Sequence, residues 1–120
     1  MRGAGGRYDP RALASLDEFL ALDVRVGTVV AARVNQGARL PAYALTVDFG
    51  PLGRKQANAR IAGLYDPEDL VGLQVVAVVN LPAERVAGLE SEVQVLAVND
   101  GRGDRVLLIP ERPVPDGGRI

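Results

Sequence analysis

From Val24 the apolar positions recur at every second residue. Val24, Val26, Thr28, Val30, Ala32 and Val34 fall on one side, with Arg25, Gly27, Val29, Ala31 and Arg33 on the other. A period of two sustained over this length predicts a long β-strand, and the first set predicts its inner face. Gly27 has no Cβ, which suits a sharply coiled strand or a close backbone approach. The alternation resumes after the loop Asn35-Gln36-Gly37-Ala38-Arg39. Tyr43, Leu45, Val47 and Phe49 share one face, opposite Ala44, Thr46 and Asp48. Gly50-Pro51-Leu52-Gly53 reads as a turn, because Pro fixes φ and Gly permits positive values. A third strand is expected over about 54–61, with Ala57, Ala59 and Ile61 alternating with Gln56, Asn58 and Arg60.

Two segments depart from this period. Ser15 followed three residues later by Glu18 is a capping-box pattern and predicts a short helix through Leu20. In Asp66-Pro67-Glu68-Asp69-Leu70, Asp66 is the expected cap and Pro67 the first helical residue, with Gly72 as the stop. The run Val75 to Val79 reads as a strand buried on both faces. Further strands are expected over Val93 to Val98 and Arg105 to Ile109, joined by the turn Asn99-Asp100-Gly101-Arg102-Gly103-Asp104. Five or more strands around short helices, without β-α-β alternation, predict a mainly β fold that closes into a small barrel. Residues 1–14 are expected to form a flexible leader ahead of one domain over 15–120.

Composition narrows the chemistry. The chain has 120 residues, 48% of them hydrophobic, no Trp and only 4% aromatic residues, so one core of Val, Leu, Ile and Ala is expected. It has neither Cys nor His, which excludes disulfides, thiolate nucleophiles and imidazole metal ligands. Its two serines, Ser15 and Ser91, stand in no nucleophile elbow. Helix capping accounts for Asp66, Glu68 and Asp69, and Gly50-Pro51-Leu52-Gly53-Arg54-Lys55 lacks the spacing of a phosphate loop. Arg102-Gly103-Asp104 is read as part of a turn. No catalysis, metal or cofactor is expected. No apolar run approaches the ~20 residues that span a bilayer, and the N-terminus lacks a signal-peptide apolar stretch, so a cytoplasmic protein without membrane insertion is expected. The formal net charge of −1 opposes strong non-specific RNA binding but leaves room for a local basic face.

One ordered series of motifs is more specific than any of these features. Asp23-Val24-Arg25-Val26-Gly27 leads through Pro41-Ala42-Tyr43, Val47-Asp48-Phe49-Gly50, Tyr65-Asp66-Pro67-Glu68, Val78-Val79-Asn80-Leu81-Pro82 and Ser91-Glu92-Val93 to Pro113-Val114-Pro115-Asp116-Gly117. In order and spacing the series resembles the tRNA-binding domain family of OB-fold barrels, and within it the CsaA-type secretion chaperones. The resemblance implies a five-stranded OB-fold barrel whose flanking N- and C-terminal segments join a homodimer. Phe19, Leu20, the strand Val106 to Ile109 and the tail to Ile120 are accordingly expected near a two-fold interface.

In this barrel class ligands cross the face of the second and third strands and its bordering loops. That face and rim would collect Arg39, Tyr43, Arg54, Lys55, Gln56, Asn58, Arg60, Asn80, Leu81, Pro82, Arg85, Ser91 and Glu92. Three readings compete for them. The cations and amides suit tRNA, which the resemblance implies. Shallow apolar pockets suit unfolded or precursor polypeptides handed to the protein-export machinery, the activity associated with the chaperones. A solvated face without a ligand is the third. Leu40 and Ala44 stand where relatives often carry Lys, and Ala57-Asn58-Ala59 replaces a Ser-Ser-Ala type run, which tilts the expectation towards polypeptide. Arg25 is expected to be structural, paired with Asp23 or another carboxylate.

Overall fold

The computed structural model describes residues 8–120; of the leader expected over 1–14, residues 1–7 lie outside the described residues. The element order is α1 (Leu16–Leu20), β1 (Val24–Val34), β2 (Tyr43–Asp48), a 3-10 turn (Gly50–Leu52), β3 (Arg54–Ala59), α2 (Pro67–Leu70), β4 (Gln74–Val78), β5 (Glu84–Val86), β6 (Leu89–Ser91), β7 (Gln94–Val95), β8 (Ala97–Asn99) and β9 (Arg105–Leu107). The main sheet is antiparallel in the order β3-β2-β1-β4-β7 and curls into a nearly closed barrel of the OB type. β5–β6 and β8–β9 are separate hairpins.

The barrel closes between β3 and residues 91–92, just ahead of β7, and the seam combines a main-chain bond with side-chain oxygens that stand in for carbonyls. The Glu92 N–H donates to the Gln56 C=O at 2.8 Å, the Gln56 N–H to Glu92 Oε1 at 3.3 Å, and the Asn58 N–H to Ser91 Oγ at 3.0 Å. Inside lie Val29, Leu45, Val47, Phe49, Ala57, Leu70, Val75 and Ala77, each almost fully buried, with Tyr43, Ile61, Val95 and Leu107 completing the core. The β2 and β3 alternation matches the expected faces.

The expectation for β1 needs a correction. Its register against β2 jumps between Val29 and Ala31, so Val30 is the extra residue of a β-bulge. Ahead of the bulge the core-facing residue is Val29, and beyond it Ala32 packs against the core. Val24, Val26 and Thr28 therefore face outward, and Val24 and Val26 are buried all the same. The C-terminal tail covers them, continuing the edge that β2 occupies further along: Val26 exchanges bonds with Gly117 and Gly118, and the Ile120 N–H donates to the Val24 C=O. Thr28 donates to Asp116 at 2.6 Å, and Gln74 bonds both Val114 and Asp116. Arg25 pairs with Asp23 at 2.6 Å, as expected, and Arg119 approaches the same carboxylate at 3.4 Å. The Arg25 hydrogen bond holds the Asp23 carboxyl below the usual carboxylate range against a smaller upward push from burial.

Other differences are local. Ser15 and Glu18 form the expected capping box, whereas the Asp66 side chain makes no cap bond and only its C=O receives the Asp69 N–H. The strand expected over Val93 to Val98 breaks at Leu96, whose N–H donates to the Val76 C=O, and splits into β7 and β8. The β5–β6 hairpin was not expected. Its turn, Ala87-Gly88, has positive φ at both residues (50° and 82°), as a two-residue turn of type I′ requires.

Candidate functional site

A cleft of about 570 Å³ opens where the seam stops, between the outer end of β3 and β7. Asn58, Ala59, Arg60 and Ile61 form one wall; Ser91, Gln94, Val95, Ala97 and Arg105 form the opposite one. The loop after β1 contributes Gly37 to Leu40, and the β5–β6 hairpin contributes Glu84 to Ala87. The curvature of the sheet produces this gap: β3 and β7 are its two ends, and only residues 91–92 bridge them.

Four arginines, Arg39, Arg60, Arg85 and Arg105, meet around this cleft, and Glu84 is its one carboxylate. Among the described residues, Arg39, Arg60 and Arg105 take part in no ion pair, and Arg85 lies 3.9 Å from the exposed Glu90. Such guanidinium groups present planar pairs of donors that match phosphate or carboxylate oxygens. Arg105 is steadied by a bond from Nη2 to the Ala97 C=O at 3.4 Å. No aromatic side chain lines the cleft.

Of the residues expected at the site, Arg39, Asn58, Arg60, Arg85 and Ser91 line this cleft. Gln56 lies instead in two neighbouring shallow grooves with Arg33 and Thr46. Ser91 and Glu92 serve the seam. Arg54 and Lys55 stand at the far end of β3, where Arg54 approaches Asp48 at 3.8 Å. Tyr43 belongs to the core, its hydroxyl donating to the Tyr65 C=O. Asn80 secures the helix-to-strand junction: Oδ1 accepts from the Asp23 N–H and Nδ2 donates to the Ala21 C=O, both at 2.8 Å. Leu81 and Pro82 follow it on the exposed surface and do not line the cleft. Arg105, Gln94 and Glu84 are cleft residues that sequence reasoning missed. Arg105 begins a short strand of ordinary pattern, and only the closure of the barrel brings it opposite Arg60.

Known proteins share this fold. Residues 24–119 match the family model described as "Putative tRNA binding domain". A methionine–tRNA ligase of Methanothrix thermoacetophila is 44% identical over 116 residues, and one of Thermococcus kodakarensis is 41% identical over 108. These matches cover 96% and 88% of this chain but only 17% and 14% of the ligases, so the chain spans about a sixth of the curated relatives it matches. Among solved structures, the chaperone CsaA of Bacillus anthracis superposes with a TM-score of 0.86 at 51% identity, covering 91% of this chain and 99% of that one. A CsaA chaperone of Picrophilus torridus gives 0.83 at 34% identity, covering 90% and 99%. A MetRS-related protein of Pyrococcus horikoshii gives 0.80 at 30% identity, covering 90% and 97%.

Proposed function

This chain belongs to the tRNA-binding domain family, and on that premise we propose that it binds tRNA, without catalysis, through the arginine-lined cleft. One observation carries the reading: a chain of formal net charge −1 gathers four arginines around one cleft that holds a single carboxylate. Clustering like charges opposes folding unless an anion repays it, and a folded phosphate backbone supplies anions at suitable spacing. With no aromatic platform in the cleft, recognition rests on backbone and shape rather than on stacked bases. Such a ligand fits a cytoplasmic protein.

The test is binding of a fluorescently labelled tRNA across a salt series. Arg60→Ala combined with Arg105→Ala should weaken binding and reduce the slope of log K against log salt by roughly 1.4 to 1.8, two phosphate contacts' worth. An unchanged slope would remove the cleft from the RNA site.

The likeness to two CsaA chaperones over nearly their whole length supports a second reading, in which the same face holds unfolded or precursor polypeptides for export. A labelled unstructured peptide that binds at high salt, resists tRNA competition and ignores the arginine substitutions would establish it. Under either reading we propose a homodimer. Exposed Leu16, Phe19, Leu20 and Ile120 at one end, and Val98, Val106, Leu108 and Ile109 on β8–β9 and its extension, supply apolar surface for it.

A further inference from the structure

We propose that Asn35 is the positioning residue of the cleft: its buried amide ties the β5–β6 hairpin to the barrel and so sets where Arg39 and Arg85 stand relative to Arg60. The inference rests on the RNA reading for its functional consequence, though not for its structural one.

Asn35 is the one polar residue among the described residues whose side chain is buried with the core, at 6% exposure. Burying an amide is unfavourable unless its hydrogen bonds are replaced. Here they are replaced in a telling pattern. Nδ2 donates to Asn58 Oδ1 at 2.8 Å and to the Val86 C=O at 3.3 Å. The main chain of the same residue donates to the Ala42 C=O at 2.9 Å and accepts from the Ala38 N–H at 3.3 Å. One residue at the end of β1 thus reaches the loop that carries Arg39, the strand that leads to Arg60 and the hairpin arm that carries Arg85.

The hairpin depends on that tie. It buries a single apolar side chain, Leu89, and exposes Glu84, Arg85, Ala87, Gly88 and Glu90. Segments with so little buried apolar contact open easily. Its other polar anchors, Ser91 and the adjacent Glu92, sit at the base of β6, and the β5 arm bearing Arg85 is linked to them through its pairing with β6. Asn58 meanwhile has Oδ1 committed to Asn35, so it acts in the wall first, with its remaining amide hydrogens open to a ligand.

The substitution Asn35→Leu keeps the branching of the side chain, in a larger apolar form, and removes both donor bonds without adding charge. It should raise hydrogen exchange across residues 84–91 of the free protein. It should weaken binding of a labelled tRNA by roughly two- to tenfold, the range one net hydrogen bond contributes. The salt slope should fall by about one phosphate contact, as Arg85 leaves the site. A rescue distinguishes positioning from general damage. A Cβ on Gly37 would stand 3.8 Å from that of Ala87, the spacing of a disulfide, and the chain has no cysteine to interfere; because the φ of Gly37 is +87°, which strains any L side chain, the same cysteine pair with Asn35 intact is the reference. In the Asn35→Leu background, Gly37→Cys with Ala87→Cys should restore tRNA affinity when oxidised and lose it again on reduction. Should Asn35→Leu not fold, Asn35→Ala removes the same bonds with a smaller side chain and is read the same way.

Unchanged exchange and unchanged tRNA affinity would overturn the proposal, as would lost affinity that the disulfide does not recover. Faster exchange in a protein whose unaltered form binds no tRNA would uphold the latch and sink the RNA reading instead.

Discussion

The two halves of β1 have opposite surroundings. From Val24 to Thr28 the strand is enclosed: β4 pairs along one edge, the tail runs along the other, and Asp23, Arg25, Arg119, Thr28, Asp116 and Gln74 bond across the join. From Ala31 to Val34 it is largely exposed, and it ends at Asn35, which supports a cleft where four arginines face a single carboxylate. The division falls at the bulge around Val30. One strand thus serves as the stable spine of the barrel and as the footing of its ligand face. Polar groups are satisfied internally in the first half and left for a partner in the second.

The largest effect that separates the halves should come from enlarging one small side chain in each. A Cβ on Gly27 would stand 2.7 Å from both Phe49 Cδ1 and Val47 Cγ1 and 2.8 Å from the Asp48 C=O, inside the contact limit on three sides. Gly27→Ala should therefore destabilise the fold by about 1–3 kcal/mol, the usual cost of overpacking a filled core. Ala31→Val, on an exposed position past the bulge, should stay within about 0.5 kcal/mol of the unaltered chain. Urea midpoints for the pair measure the contrast. Equal losses would mean that the bulge does not divide the strand.

How much of this was legible in the sequence depends on the kind of signal. Tyr43, Leu45, Val47 and Phe49 alternate without interruption, and the face they predict is the one buried. The same reasoning misassigned Val24, Val26 and Thr28, because an alternating pattern continues unbroken through an inserted residue while the strand itself turns over. Burial of Val24 and Val26 also needed the tail, some ninety residues away in sequence. The β5–β6 hairpin escaped notice because its turn places Ala87, not Asn or Gly, at a positive φ, and because Leu89 is its one buried residue. Arg39, Arg60 and Arg85 could be nominated from loops and strand parity. Arg105 and the linking role of Asn35 could not, since both follow from contacts between segments that no local pattern joins.

A smaller effect should appear in acid. The Arg25 hydrogen bond holds the folded-state pKa of Asp23 below its unfolded value. Its contribution is thus fully present above the unfolded value and is lost as pH falls through the folded one. Asp23→Asn should cost about 0.5–1 kcal/mol at neutral pH, typical of an ion pair only partly withdrawn from water. The unfolding curves of the two proteins should then begin to converge below about pH 4 and meet only below the lowered folded-state value. A constant gap down to pH 2 would show that the loss does not come from the carboxylate's charge, and no gap at neutral pH would show that the tail is held by its main-chain bonds alone.

The smallest effect on stability should belong to the cleft, and it completes the contrast. Arg60→Ala with Arg105→Ala removes two cations that make no ion pair among the described residues, so each should shift the unfolding free energy by no more than about 0.5 kcal/mol. The sign should favour the variant at low ionic strength, because the remaining Arg39 and Arg85 then face less repulsion. Added salt should erase that gain, as the Debye length falls from ~30 Å at 0.01 M to ~8 Å at 0.15 M. Thermal melts of both proteins at the two salt concentrations would read this difference. If the double substitution instead destabilised the fold at both, the arginines would be structural members of the barrel wall, and the division between a spine built for stability and a face built for a partner would fail.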